Sequence, residues 1–219
     1  MIDIHEYINN DFKAVDIESD VESVQDFFAD SHFTHFPVTS EGVYIGSVGS
    51  DDAETFDPEK HLSDYRYTLE GFYTRKDTMW LDVLEVFARN RTNVVPVLDA
   101  NNTYSGYYEI HDIVKAFNET PFLKEQGGII VVEKAIADYS MGQVVQIVES
   151  NNAKLLGLFV SDSTADTVQI TVKTALGGLN EIIQTFRRYN YEIISEHQED
   201  SYLNGLKDRS DYLDKYLNI

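Results

Sequence analysis

Cysteine is absent from the 219 residues, which excludes disulfides and thiolate metal sites. Basic side chains are scarce: 17 Lys and Arg against 38 Asp and Glu leave a net charge of −21. Such a field repels phosphate backbones and anionic lipid, so neither nucleic acid nor a membrane surface is an expected partner. No apolar run approaches the roughly 20 residues that span a bilayer. The opening MIDIHEYINND lacks the basic and apolar regions of a signal peptide, and a cytoplasmic protein is expected.

Enzyme motifs are missing as well. There is no P-loop, no G-x-G-x-x-G after a strand and no G-x-S-x-G elbow. Gly42, Gly46 and Gly49 have the wrong spacing to cradle a phosphate. Asp26, Asp30, His32 and His35 are the nearest approach to a metal-ligand cluster, but the two histidines read as residues of a helix-to-strand loop. His5, His61, His111 and His197 have no evident catalytic partner by sequence, although His111 adjoins Asp112. The expectation is a non-enzymatic protein without a cofactor or metal.

What is present is a globular composition, 42% hydrophobic and 12% aromatic, over a length that suits two domains of about 100 to 120 residues. The acidity is uneven. Residues 1–70 carry 17 acidic against 3 basic side chains, and residues 123–219 carry 14 against 9.

The first half contains a repeat. Ser19-Asp-Val-Glu-Ser-Val-Gln-Asp-Phe-Phe28, His35-Phe-Pro-Val38, Val43–Val48 and Asp52 recur as Thr78–Phe87, Val94-Val-Pro-Val97, Tyr104–Tyr108 and Asp112. Val24 to Val83, Phe28 to Phe87 and Pro37 to Pro96 share an offset of 59. Gly46 to Gly106 and Asp52 to Asp112 share 60. Ser19 and Thr78 are placed for helix N-caps, Ser19 with Glu22 as a capping box. Val21, Val24 and Phe28 form one helical stripe, and Leu81, Leu84 and Ala88 are expected to form the other. Each copy reads as a β-α-β-β-α unit.

This layout resembles the CBS motif over about residues 10–120, on the apolar-Pro-Val strand, the Gly-bearing strand and the Asp at the start of the last helix. The resemblance implies a tandem pair (repeat one about 10–62, repeat two about 70–122, within a domain 1–122) with two clefts that take adenosyl compounds: AMP, ATP or S-adenosylmethionine. It implies a ligand set of His35, Phe36, Pro37, Gly49 and Asp52 in repeat one. In repeat two the set is Thr74, Val95, Pro96, Tyr108, His111 and Asp112. In that family the Asp binds ribose, and a Thr or Ser three residues earlier meets phosphate; here Gly49 and Glu109 stand at that position. A basic residue two positions before the Pro is kept as His35 but lost at Val94. A low-charge adenosyl ligand is therefore expected over ATP. The plainer alternative is that Asp52 and Asp112 merely cap helices.

Residues 123–219 follow another order. A strand at Ile129–Val132 precedes a helix opened by Ser140 and Gln143, with Met141, Val144, Val145 and Val148 on one face. Leu155–Val160 reads as a buried strand, and Val168, Ile170 and Val172 alternate with polar residues as a half-buried one. A helix on Leu179, Ile182, Ile183 and Phe186 and a strand at Tyr191–Ile194 complete βαββαβ, the ferredoxin-like order. Asp138–Val148 resembles the first helix of ACT domains, and Leu206, Leu213 and Leu217 suggest a C-terminal helix. The fold class is α+β: a CBS pair, then an ACT-like domain. That order resembles the AcuB family of acetoin-utilisation proteins. It implies a regulatory sensor with a small-molecule effector and a protein partner, or else a scaffold whose nucleotide sites have decayed. A homodimer is expected, with Tyr65, Tyr67, Phe72 and Tyr73 as candidate surface aromatics.

Overall fold

Val94-Val-Pro-Val-Leu98 carries no polar side chain, and in the computed structural model it is a strand buried at all five positions. The structure describes residues 3–195; the expected C-terminal helix and His197 lie outside the described residues. The chain is α+β and divides into two units, Met1–Glu119 and Thr120–Ile219.

Unit 1 runs β1 (Val15–Asp16), α1 (Val21–Asp30), β2 (His35–Ser40), β3 (Val43–Gly49), α2 (Ser50–Thr55), then β4 (Thr74–Arg75), α3 (Trp80–Asn90), β5 (Val94–Leu98), β6 (Tyr104–Glu109), α4 (Ile110–Asn118). Each repeat makes a three-stranded sheet, β1-β2-β3 or β4-β5-β6, with one parallel and one antiparallel pairing. Pro37 and Pro96 sit in the middle strands, where a residue without an N–H weakens the ladder. Both middle strands shift register just beyond the proline, between Val38 and Thr39 and between Val97 and Leu98.

The two helix starts differ from the sequence expectation. The N-cap of α1 is Asp20, not Ser19, and that of α3 is Met79, not Thr78; neither side chain accepts a capping hydrogen bond. Asp20 instead pairs with His61 at 3.0 Å, and the Val21 N–H bonds the Lys60 carbonyl. The Thr78 hydroxyl accepts from the Arg75 N–H. The stripe of α1 is buried as expected, but that of α3 is Val83 and Phe87, while Leu81 is 60% exposed and Ala88 is exposed too.

The lead segments of the two repeats are exchanged. Residues 8–10 run toward repeat one, yet Asn9 pairs with Tyr107 on β6 of repeat two, and Ile4 joins the repeat-two core. Residues 69–70 lead into repeat two, yet Glu70 pairs with Ser47 on β3 of repeat one. Gly46 (φ +148°) and Gly106 (φ +137°) make room for these crossings. A Cβ on Gly46 would lie 2.8 Å from the Leu69 Cβ, and one on Gly106 would lie 2.6 Å from the Asn9 carbonyl oxygen.

Unit 2 contains α5 (Pro121–Lys124), β7 (Gly127–Ala135), α6 (Met141–Ser150), β8 (Leu155–Ser163), β9 (Thr167–Ala175), α7 (Leu179–Arg188) and β10 (Glu192–Ile193). The sheet order is β10-β7-β9-β8, antiparallel throughout, which is the ferredoxin-like arrangement. Ile130, Val132, Val168, Ile170 and Val172 face α6 and α7 in one core. Ser140 caps α6 by accepting from the Gln143 N–H at 3.4 Å. The Gln143 side chain does not return the bond; its Oε1 accepts from Lys134. β8 is an edge strand whose apolar run is only partly covered: Leu155 and Leu158 pack against the core, while Phe159 and Val160 are exposed.

Candidate ligand-binding site

His35 opens β2 and Gly49 closes β3 directly opposite it. Gly49 is the N-cap of α2, and Asp52 is the third residue of that helix, so Asp52 does not cap it; Asp112 holds the same place in α4, behind Glu109. Neither aspartate is the N-cap itself; each stands in the first turn of its helix. With no side chain at Gly49, space remains between the His35 ring and the Asp52 carboxylate. A Cβ there would stand 3.6 Å from the ring and 4.0 Å from Oδ2.

That space is part of a cavity of about 450 Å³. His35, Gly49 and Asp52 line it together with Thr34, Ser50 and Asp51 from repeat one. Glu70 comes from the lead segment, and Asn90 and Arg91 come from the end of α3. Arg91 holds a left-handed conformation (φ +51°) at the C-cap of α3 and makes no ion pair among the described residues. The His35 ring is pinned on both sides: Nε2 lies 3.2 Å from Glu70 and Nδ1 lies 3.1 Å from the Thr34 hydroxyl. Phe72 meets it edge-on at 5.5 Å. Thr34 in turn bonds its repeat-two counterpart: its N–H and hydroxyl both donate to the Asn93 side chain.

The counterpart cleft is organised differently. Glu109 stands opposite Val94 and is 8% exposed. Its Oε1 accepts from the Asn9 side chain at 3.1 Å, and its Oε2 lies 3.2 Å from His32 Nε2 and 3.6 Å from His111 Nδ1. His111 Nε2 also meets Asp112 at 3.1 Å. Among the described residues, no group of three or more His, Asp or Glu is arranged to hold a metal ion.

The other expected site residues lie elsewhere. Phe36, Val95 and Tyr108 are fully buried core residues, and Pro37 and Pro96 are buried within their strands; none of the five lines this cavity. Thr74, buried with an unpartnered hydroxyl, borders a different cavity of about 540 Å³ between β4 and α3. Of the expected surface aromatics, Tyr67 and Tyr73 are exposed. Phe72 is buried, and Tyr65 stacks on Phe56 at 4.0 Å. Burial raises the Tyr44 hydroxyl to a pKa of about 12, which keeps it a donor to the Phe72 carbonyl at 2.6 Å. That bond ties β3 to the segment bordering the cavity.

Residues 71–119 match the family model of the CBS domain. The match falls on repeat two, whose element order, register shift and strand glycine repeat one shares. No curated protein matches the sequence. Among solved structures, a CBS domain pair/ACT domain protein from Thermotoga maritima is 18% identical, with 53% of this chain and 97% of that chain covered at a TM-score of 0.48. The CBS domains of a transcriptional regulator from Streptococcus pneumoniae are 18% identical over 51% and 96%, at 0.46. A structure of CBSX2 in complex with AMP is 16% identical over 52% and 94%, at 0.44.

No helix among the described residues is long and apolar enough to cross a membrane.

Proposed function

We propose that unit 1 is the sensor half of a regulatory, non-enzymatic protein and binds a low-charge adenosyl nucleotide, AMP or S-adenosylmethionine ahead of ATP, in the cavity above Gly49. One observation carries this reading. A carboxylate suited to ribose hydroxyls (Asp52), an imidazole (His35) and a guanidinium without an ion pair among the described residues (Arg91) line one cavity around a residue without a side chain. The CBS match to residues 71–119 supports it, because proteins with these domains generally serve as ligand sensors. Asp51, Asp52 and Glu70 line the same cavity, so a triphosphate would meet three carboxylates against one permanent cation.

Asp52→Ala should weaken AMP binding by roughly 1 to 3 kcal/mol, the scale of a hydrogen bond to a charged group, and Arg91→Ala by a similar amount. Asp112→Ala should leave it nearly unchanged. Isothermal calorimetry decides the matter: equal losses at Asp52 and Asp112, or no binding of any adenosyl compound to the native chain, would overturn the assignment.

For unit 2 we propose an ACT-like role, holding a small metabolite or joining subunits. The order of a repeat pair before a ferredoxin-like unit is also that of the AcuB acetoin-utilisation family, from which only the regulatory role is carried over. The chain as a whole is proposed to act on a protein partner from the cytoplasm as a homodimer. Leu81 on α3 and Val114 on α4, 60% and 50% exposed, support a subunit contact. Light scattering at micromolar concentration should give twice the chain mass, and a monomer would contradict the dimer.

A further inference from the structure

The two repeats carry counterpart sites in two different states, and Gly49 against Glu109 is the difference that decides whether the space is open. Gly49 and Glu109 occupy the same register, opposite His35 and Val94 respectively. Arg91 and His32 are likewise counterparts, 59 residues apart at the ends of α3 and α1. In the first cleft Gly49 leaves a cavity, and Arg91 makes no ion pair among the described residues. In the second, the Glu109 carboxylate is buried against Asn9, His32 and His111. A carboxylate is withdrawn from water at a cost unless its oxygens are hydrogen-bonded, and both oxygens of Glu109 are.

We infer that unit 1 is a one-ligand receptor in which the Glu109 side chain is a tethered anion occupying the second cleft, held by Asn9, His32 and His111. The count of one ligand rests on the adenosyl reading above; the tethered anion does not. Glu109 is then the residue that sets stoichiometry. Removing its side chain frees His32 and His111 for an external anion, because the cradle that holds the carboxylate remains.

Glu109→Gly is the informative variant. It copies Gly49, already an N-cap glycine in the same extended conformation, and glycine costs little at an N-cap. Glu109→Gln keeps the cleft filled and serves as the partner variant. Ring resonances of His32 and His111 are followed by NMR during titration with millimolar inorganic phosphate, and AMP stoichiometry is measured by calorimetry. The native chain should bind one AMP and show no phosphate response at either ring. Glu109→Gln should behave alike. Glu109→Gly should shift both rings with phosphate and raise the AMP stoichiometry from one to two.

Rings that move in the native chain, or that stay still in folded Glu109→Gly, overturn the tethered-anion assignment even if the native chain binds AMP. A native chain that binds no AMP, with a phosphate response in Glu109→Gly, overturns the first-cleft reading and upholds the tethered anion.

Discussion

Gly106→Ala is expected to destabilise unit 1 by about 3 to 5 kcal/mol, a large part of a domain's stability. Two costs combine. At φ +137° an L residue is held in a region that is nearly glycine-only, at about 1 to 3 kcal/mol. The new Cβ would also stand 2.6 Å from the Asn9 carbonyl oxygen and from the Ile8 side chain, and 2.8 Å from the Asn10 side chain, so the exchanged segment must lift off β6. That movement breaks the reciprocal bonds between Asn9 and Tyr107, at 2.8 and 3.0 Å. The single tryptophan, Trp80, packs against the repeat-two core and Phe117, so its fluorescence in urea follows unit 1 separately from unit 2. Gly71→Ala, with open space around its Cβ, is the control and should change little. A Gly106→Ala chain within 1 kcal/mol of the native one would show that the lead segment is not held as described.

Alkaline pH should unfold the same unit through its tyrosines. Burial raises Tyr44, Tyr107 and Tyr108 to about 12, against an ordinary value of 10.0. Below pH 10 the hydroxyls are neutral in both states and the stabilisation is fully present. Between pH 10 and 12 the unfolded chain ionises while the folded one resists, so stability falls, by about 1.4 kcal/mol per group for each pH unit. By pH 11 the loss should reach about 3 to 4 kcal/mol. Denaturant unfolding at pH 8 and pH 11 measures it, and a flat profile would contradict the burial account. Two variants separate burial from bonding. The Tyr108 hydroxyl is buried without a partner, so Tyr108→Phe should cost nothing at pH 8 and recover part of the loss at pH 11. Tyr44 donates to the Phe72 carbonyl, so Tyr44→Phe should cost about 1 kcal/mol already at pH 8.

The repeat was legible because each copy needs the same residue at the same structural duty. A proline beside a register shift and a glycine under a crossing chain leave a fixed offset in the sequence. The ferredoxin-like order was legible from periodicity, since Val168, Ile170 and Val172 alternate as one buried face must. Helix starts were less so. Ser19 and Thr78 have capping chemistry, but each helix starts one residue further in; Asp20 pairs with His61, and the Thr78 hydroxyl is used locally by the Arg75 N–H. Leu155–Val160 has the composition of an interior strand, and only sheet order tells that it lies at an edge.

The candidate site divides along the same line. His35, Gly49 and Asp52 come from one repeat and could be read from it. Arg91, Glu70 and Asn9 reach their clefts from the opposite repeat or from an exchanged lead segment, and no local pattern announces that. Glu109 was legible as a missing hydroxyl and a surplus charge. Its engagement by His32 was not, because that contact spans 77 residues.

The exchange of lead segments also makes two symmetric halves unequal in the time they take to close. Glu70 meets Ser47, so repeat one completes its sheet across a short stretch of chain. Asn9 meets Tyr107, so repeat two must wait for a partner made nearly a hundred residues earlier. Loop-closure entropy grows with the logarithm of length, and that difference is about 1 kcal/mol against the longer closure. During synthesis the first hairpin can therefore be finished while the second is still being made, and the N-terminal strap stays unspent until Tyr107 arrives. Folding has a direction along this chain that its near-twofold architecture does not display.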